Sequence, residues 1–181
     1  MFLLTSAALS SAANQARVPV TGETAGVEGS ANGTVWPTVR FVVESGASAN
    51  CVSDKLTGLM WVKNLNTVRI DGLPNGNLTS WQNALDSVRE ANAAGGGYCG
   101  YTDWRLPNVN ELKSLINYGQ SIIANWLNIQ GFVNVQATNY WSSTSFAPNT
   151  SLAWYVDFSS GDVNADYKSG TNYVWPVRRG L

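Results

Sequence analysis

Tyr140-Trp141-Ser142-Ser143, then Leu152-Ala153-Trp154-Tyr155-Val156-Asp157-Phe158, then Tyr173-Val174-Trp175-Pro176-Val177-Arg178-Arg179 is the run whose reading decides the fold class. Side chains alternate across a strand, so Leu152, Trp154, Val156 and Phe158 fall on one face while Ala153, Tyr155 and Asp157 fall on the other. The first set is built to pack, and the second to meet something. Ser159-Ser160-Gly161 is a hairpin turn between strands 153–158 and 162–167. The second strand then turns Val163 and Ala165 inward and Asn164, Asp166 and Lys168 outward, beside Tyr155 and Asp157.

Upstream, Val39, Phe41 and Val43 alternate and predict a strand over 38–44, and Leu59 to Lys63 predicts another. Two helices are marked by their starts. Thr79 with Gln82 forms one capping box, after which Trp81, Ala84, Leu85, Val88 and Ala91 recur on one helical face until Gly95-Gly96-Gly97. Asn108 with Glu111 forms the second, before the stripe Leu112, Leu115 and Ile116, with Pro107 outside the helix where it breaks no hydrogen bond. Ile122, Ile123, Trp126 and Leu127 suggest a further short helix. Helices followed by paired strands give an α+β class, two helices packed against small antiparallel sheets.

With 181 residues the chain has room for one full core, here 36–181, preceded by an arm over 1–35 that is rich in Gly, Thr, Ala and Ser. Met1 to Ala12 resembles the distal half of a secretory signal without a basic start, and it is too short to span a bilayer. No transmembrane segment is read. Net charge is −1, with no basic cluster beyond Arg178-Arg179, which argues against nucleic acid as a partner. The chain has no histidine, which removes His-based triads and most zinc sites. Only 13% of residues are charged while eight are tryptophan, so Asn, Ser, Thr and Tyr must carry solubility and contact.

Gly58-Leu59-Met60-Trp61, Tyr101-Thr102-Asp103-Trp104-Arg105-Leu106-Pro107, Tyr140-Trp141-Ser142-Ser143-Thr144 and Val174-Trp175-Pro176-Val177-Arg178 stand in an order that resembles a bacterial family of domains of unknown function. That family is known from the C-terminus of Legionella collagen-like adhesins, and the resemblance covers 51–179. It implies a variant of the C-type lectin fold, shared with variable proteins of diversity-generating retroelements and with formylglycine-generating enzymes. Cys51 and Cys99 could be a disulfide, a redox pair or two buried thiols; the resemblance favours the disulfide, and with it an oxidising compartment.

Asp103 and Arg105 read as structural, satisfying turn amides and carbonyls around a core Trp104. Trp61, Trp141, Trp154 and Trp175 could stack on sugar rings, but strand alternation puts Trp154 in the core. The triplets by which calcium-dependent lectins hold metal and sugar are absent from the sequence, so Asp157, Asp162 and Asp166 read as solvated carboxylates. Neither cysteine sits in a motif of formylglycine chemistry. The chain therefore reads as non-enzymatic, with no cofactor and no metal.

Asn139, Tyr140, Asn149, Ser151, Tyr155, Asp157, Asn164, Asp166, Tyr167, Asn172 and Tyr173 form the candidate ligand-binding set. Their Tyr, Asn and Ser content is the mix that gives antibody loops rigid contact area with adaptable hydrogen bonds. Likeness to retroelement-diversified proteins suggests a variable binding face; the bland alternative is that neutral secreted domains are simply rich in these residues. The function expected is a secreted or cell-surface domain binding a protein or glycan. The alternative is a self-assembling subunit of an extracellular filament or oligomer, docking through residues 1–17.

Overall fold

A computed structural model describes residues 37–68, 78–93 and 97–180. The predicted arm, Trp36 and most of the triple-glycine stop lie outside the described residues. In chain order come β1 (Phe41–Val43), β2 (Cys51–Asp54), β3 (Leu59–Val62), α1 (Trp81–Ala93), α2 (Val109–Lys113), α3 (Ile123–Ile129), β4 (Asn139–Ser145), β5 (Leu152–Asp157), β6 (Val163–Tyr167) and β7 (Val177–Arg179). Two antiparallel sheets result, one in the order β1-β2-β3-β7 and one in the order β4-β5-β6. The α+β class is as the sequence indicates.

The C-terminal run divides between the sheets. Tyr173 bridges Tyr140 beside β4, and four residues later β7 pairs with β3, Val177 opposite Trp61. Trp175 lies between these two attachments and joins the layers. Its ring meets Phe132 at 5.1 Å, Phe158 at 5.5 Å, Trp61 at 5.6 Å and Tyr140 at 5.6 Å, and its Nε1 donates to the Val62 carbonyl at 3.0 Å. Large aromatics carry most of the buried area in such a core, and the indole N–H finds its acceptor.

Trp61, Trp141 and Trp175 are fully buried, so the core reading holds for them. Trp154 departs from it. It is half-buried with its ring 5.1 Å from Phe146, next to the irregularity in the β4–β5 pairing. Ala153, on the face expected to be open, is buried instead.

The Asn108 box forms in full, Asn108 accepting from Glu111 N–H and Glu111 accepting from Asn108 N–H. The helix it starts is a single turn, and Leu115 and Ile116 are buried beyond its end. The Thr79 box does not form. Thr79 is engaged in an antiparallel bridge with Asn172, and α1 starts after Ser80, whose hydroxyl accepts from Asn83 N–H at 3.4 Å. A backbone pairing that buries Thr79 outweighed the local cap.

Two connections need glycine. Gly58 (φ 70°) closes the β2–β3 hairpin, and Gly161 (φ 87°) closes the β5–β6 connection, where a Cβ would lie 3.0 Å from Ile116. Arg40, immediately before β1, makes a bidentate pair with Asp54 on β2 (2.9 and 2.7 Å) and donates to the Ser114 carbonyl after α2 at 2.6 Å. Cys51 and Cys99 form a disulfide, Cα–Cα 6.3 Å. No helix among the described residues is long and apolar enough to cross a membrane.

Candidate functional site

The β4-β5-β6 sheet holds most of the predicted set, and its register sorts them. Asn139 faces Asp157, Trp141 faces Tyr155, Tyr155 faces Asn164 and Ala153 faces Asp166. Directly paired residues point to the same side, so Asn139, Tyr155, Asp157, Asn164 and Asp166 share one face with Trp141 and Ala153, which are fully buried on it. Tyr155 is its accessible aromatic ring, beside buried Trp141. Burial raises the Tyr155 phenol above its ordinary pKa, and the carboxylates of Asp166, Asp157 and Asp162 raise it further. Its accessible part is polar, acidic and built on strands rather than on a loop.

The remaining predicted residues go elsewhere. Tyr167 is 60% exposed but pairs with Leu152, and alternation places it on the face opposite Tyr155. Tyr173 pairs with Tyr140 and is half-buried on that opposite side. Asn149 and Ser151 are exposed in the β4–β5 turn, where the Asn149 side-chain oxygen Oδ1 accepts from Ser151 N–H at 3.1 Å. Two expectations are overturned. Tyr140 is fully buried, packed on Phe158 at 5.0 Å with its hydroxyl accepting from Gln136 N–H, and burial drives its phenol far above the ordinary range. Asn172 is buried in its bridge with Thr79. Both follow from the 172–173 segment lying along β4 instead of forming an open strand.

Asp157 accepts from Ser159 N–H, Asp166 from Tyr167 N–H, and Asp162 donates its own N–H to Ser160 Oγ. Among the described residues no group of three or more acidic or cysteine side chains could hold a metal ion.

One neighbouring feature escaped the sequence reading. Lys168 places its ammonium 4.0 Å above the Trp81 ring and donates to Ser145 Oγ at 2.7 Å, while Trp81 Nε1 donates to the Ser142 carbonyl at 2.8 Å. A cation–π contact of this kind pins the start of α1 to the end of the candidate face. Its only sequence signal was a tryptophan at the first helical position, which reads equally as core.

Asp103 and Arg105 are structural by a different route from the one expected. Asp103 is exposed and accepts from Arg178 Nε at 2.7 Å, a bond that lowers its pKa, and Arg178 stacks over Tyr101 at 3.8 Å. Arg105 grips Glu111 through two bonds of 2.7 and 2.6 Å. Partial burial works to raise the Glu111 pKa, yet the Arg105 bonds and the Asn108 N–H hold it below the usual value.

Over residues 50–178 the chain matches the family described as Lcl C-terminal domain. No curated protein matches it.

Proposed function

Because this chain belongs to the Lcl C-terminal domain family, a surface or adhesion type of domain, we propose that it is a displayed adhesion module binding its ligand through the Tyr155 face. The observation that carries the reading is the common orientation of Asn139, Tyr155, Asp157, Asn164 and Asp166 on one sheet face. Strand-borne side chains are held more firmly than loop ones, and an amphipathic phenol ringed by amides and carboxylates suits hydrogen bonding to a protein or a glycan. The disulfide agrees with an oxidising, extracellular setting. On this reading the protein is non-enzymatic. Asn149 and Ser151 would form a rim, while Tyr140 and Asn172 have no part in contact.

Binding to protein and glycan arrays and to whole cells tests the face. Tyr155→Ala should weaken a recognised ligand by about 30-fold, the range of a central contact residue, whereas Tyr167→Ala on the other side should leave it unchanged. Equal binding by Tyr155→Ala and wild type would end this assignment. The alternative, assembly through residues 1–17, concerns residues outside the described structure; light scattering with and without them tests it.

A further inference from the structure

The two sheets have four edges, and three are closed. At β7, Val177 exchanges backbone bonds of 2.9 Å with Arg105 in both directions. The free side of β4 is taken by Tyr173 and Pro107, which bond to Asn139, Trp141 and Ser143. On β6 the N–H groups of Ala165 and Tyr167 point away from β5, and they donate to the side chains of Asn164 (2.8 Å) and Asp166 (2.7 Å). An edge whose donors are already occupied by its own side chains is a poor template for another strand.

Strand β1 is different. The bonds Lys55 N–H to Arg40 and Glu44 N–H to Cys51 put the even residues toward β2, so Phe41 and Val43 direct their backbone groups outward, where no strand of the described residues lies. Exposed apolar side chains border this edge among the described residues. Val39 is 63% exposed and Val43 43%, and Gly131, between exposed Ile129 and Val133, lies against Val43. The two charged residues that border β1 in sequence are turned inward, Arg40 to Asp54 and Glu44 to Ser53.

We propose that β1 is a self-association edge whose partner is β1 of a second copy of this chain, paired antiparallel about a two-fold axis at Val42. In that register Phe41 faces Val43 of the other copy and Val43 faces its Phe41. Both are hydrogen-bonding positions, so four backbone bonds form at once and Val42 meets Val42 across a non-bonded pair. The strand is self-complementary: an isologous contact needs one patch to match itself, and this one places apolar against apolar with donors opposite acceptors. The result is a continuous eight-stranded sheet, β7-β3-β2-β1 joined to its symmetry mate. A pairing of three residues with its apolar flank sits at the small end of interfaces and gives a weak, concentration-dependent dimer. Two copies of the domain in one particle would add avidity to any surface ligand.

Sedimentation equilibrium on the full chain over about 5–500 μM tests this, since weak strand pairing calls for a wide concentration range. A monomer–dimer equilibrium is expected. Val43→Lys, at a half-exposed position, should raise its dissociation constant about 100-fold by placing unpaired charge in the seam, with the melting curve unchanged. Val42→Cys should give a covalent dimer on mild oxidation, because both native cysteines are bonded to each other and no free thiol competes among the described residues. Asp166→Ala, on the other sheet, should leave the equilibrium alone. A chain monomeric throughout this range overturns the proposal, as does a dimer indifferent to Val43→Lys or one abolished only by removing residues 1–17. If Val43→Lys fails to fold, absence of the Val42→Cys cross-link overturns it by itself.

Discussion

Removing the Cys51–Cys99 bond should cost this domain more than any single surface contact. The two cysteines are 48 residues apart, and in the chain-entropy model a cross-link closing a loop of that length removes about 4 kcal/mol of conformational freedom from the unfolded chain. A domain of this size loses roughly 2–4 °C of melting temperature per kcal/mol, so reduction should lower it by roughly 8–16 °C. The assay is thermal unfolding of wild type with and without a phosphine reductant, beside the Cys51→Ala/Cys99→Ala double variant. Reduced wild type keeps both sulfurs and isolates the cross-link; the double variant adds the loss of a packed sulfur at fully buried Cys51. Cys99 has φ 57°, and alanine tolerates that region no better than cysteine, so backbone strain does not distort the comparison. The bond also secures the turn that presents Tyr98 to Trp104 at 5.8 Å and Tyr101 to Arg178. Reduction should therefore expose that turn to protease first. A shift below about 3 °C, with the turn still protected, would refute loop closure as the source of the stability.

Asp54→Ala strands a buried Arg40 guanidinium and should cost about 3–5 kcal/mol in urea unfolding, whereas exposed Arg89→Ala, which breaks only a surface pair with Asp86, should stay within about 0.5 kcal/mol. Asn108→Ala removes a complete capping box and should cost about 1 kcal/mol in the same assay. Tyr140 and Tyr155 both have phenol pKa values raised on folding. Above about pH 10 the unfolded chain releases those protons first, so stability should fall with rising pH through the alkaline range. Tyr140→Phe should flatten that fall, and unchanged pH dependence in urea melts would remove Tyr140 as its cause.

The parts of the fold that follow from local chemistry could be read along the chain. Alternation located β5 and β6, glycine with two serines located their turn, and the Asn108 box located α2 because cap, carboxylate and proline are all within five residues. Thr79-x-x-Gln82 has the same local grammar and fails, since the backbone of Thr79 has a better use 93 residues away in Asn172. β2 escaped notice for a related reason. Cys51-Val52-Ser53-Asp54 is buried at every position, so it has no alternation to see, and Asp54 is tolerable there because Arg40 arrives from before β1 and Leu56 N–H and the Thr57 hydroxyl donate to it as well.

One principle divides the candidate set into residues that share a face and residues that do not. Within one hairpin, period 2 is enough to assign sides, which is why Tyr155, Asp157, Asn164 and Asp166 come together as the alternation requires. Composition cannot assign sides, and the criterion of being rich in Tyr and Asn swept in Tyr140 and Asn172, whose neighbours come from the 173–175 segment and from Thr79. Tyr167 shows the limit of exposure as a guide: it is more open than Tyr155, yet its pairing with Leu152 puts it on the wrong side to join a common surface. A tyrosine-rich strand offers two faces, and register decides which of its rings can touch one ligand. That is why Tyr155→Ala and Tyr167→Ala, alike in chemistry and on opposite faces of one sheet, form the comparison on which the binding assignment rests.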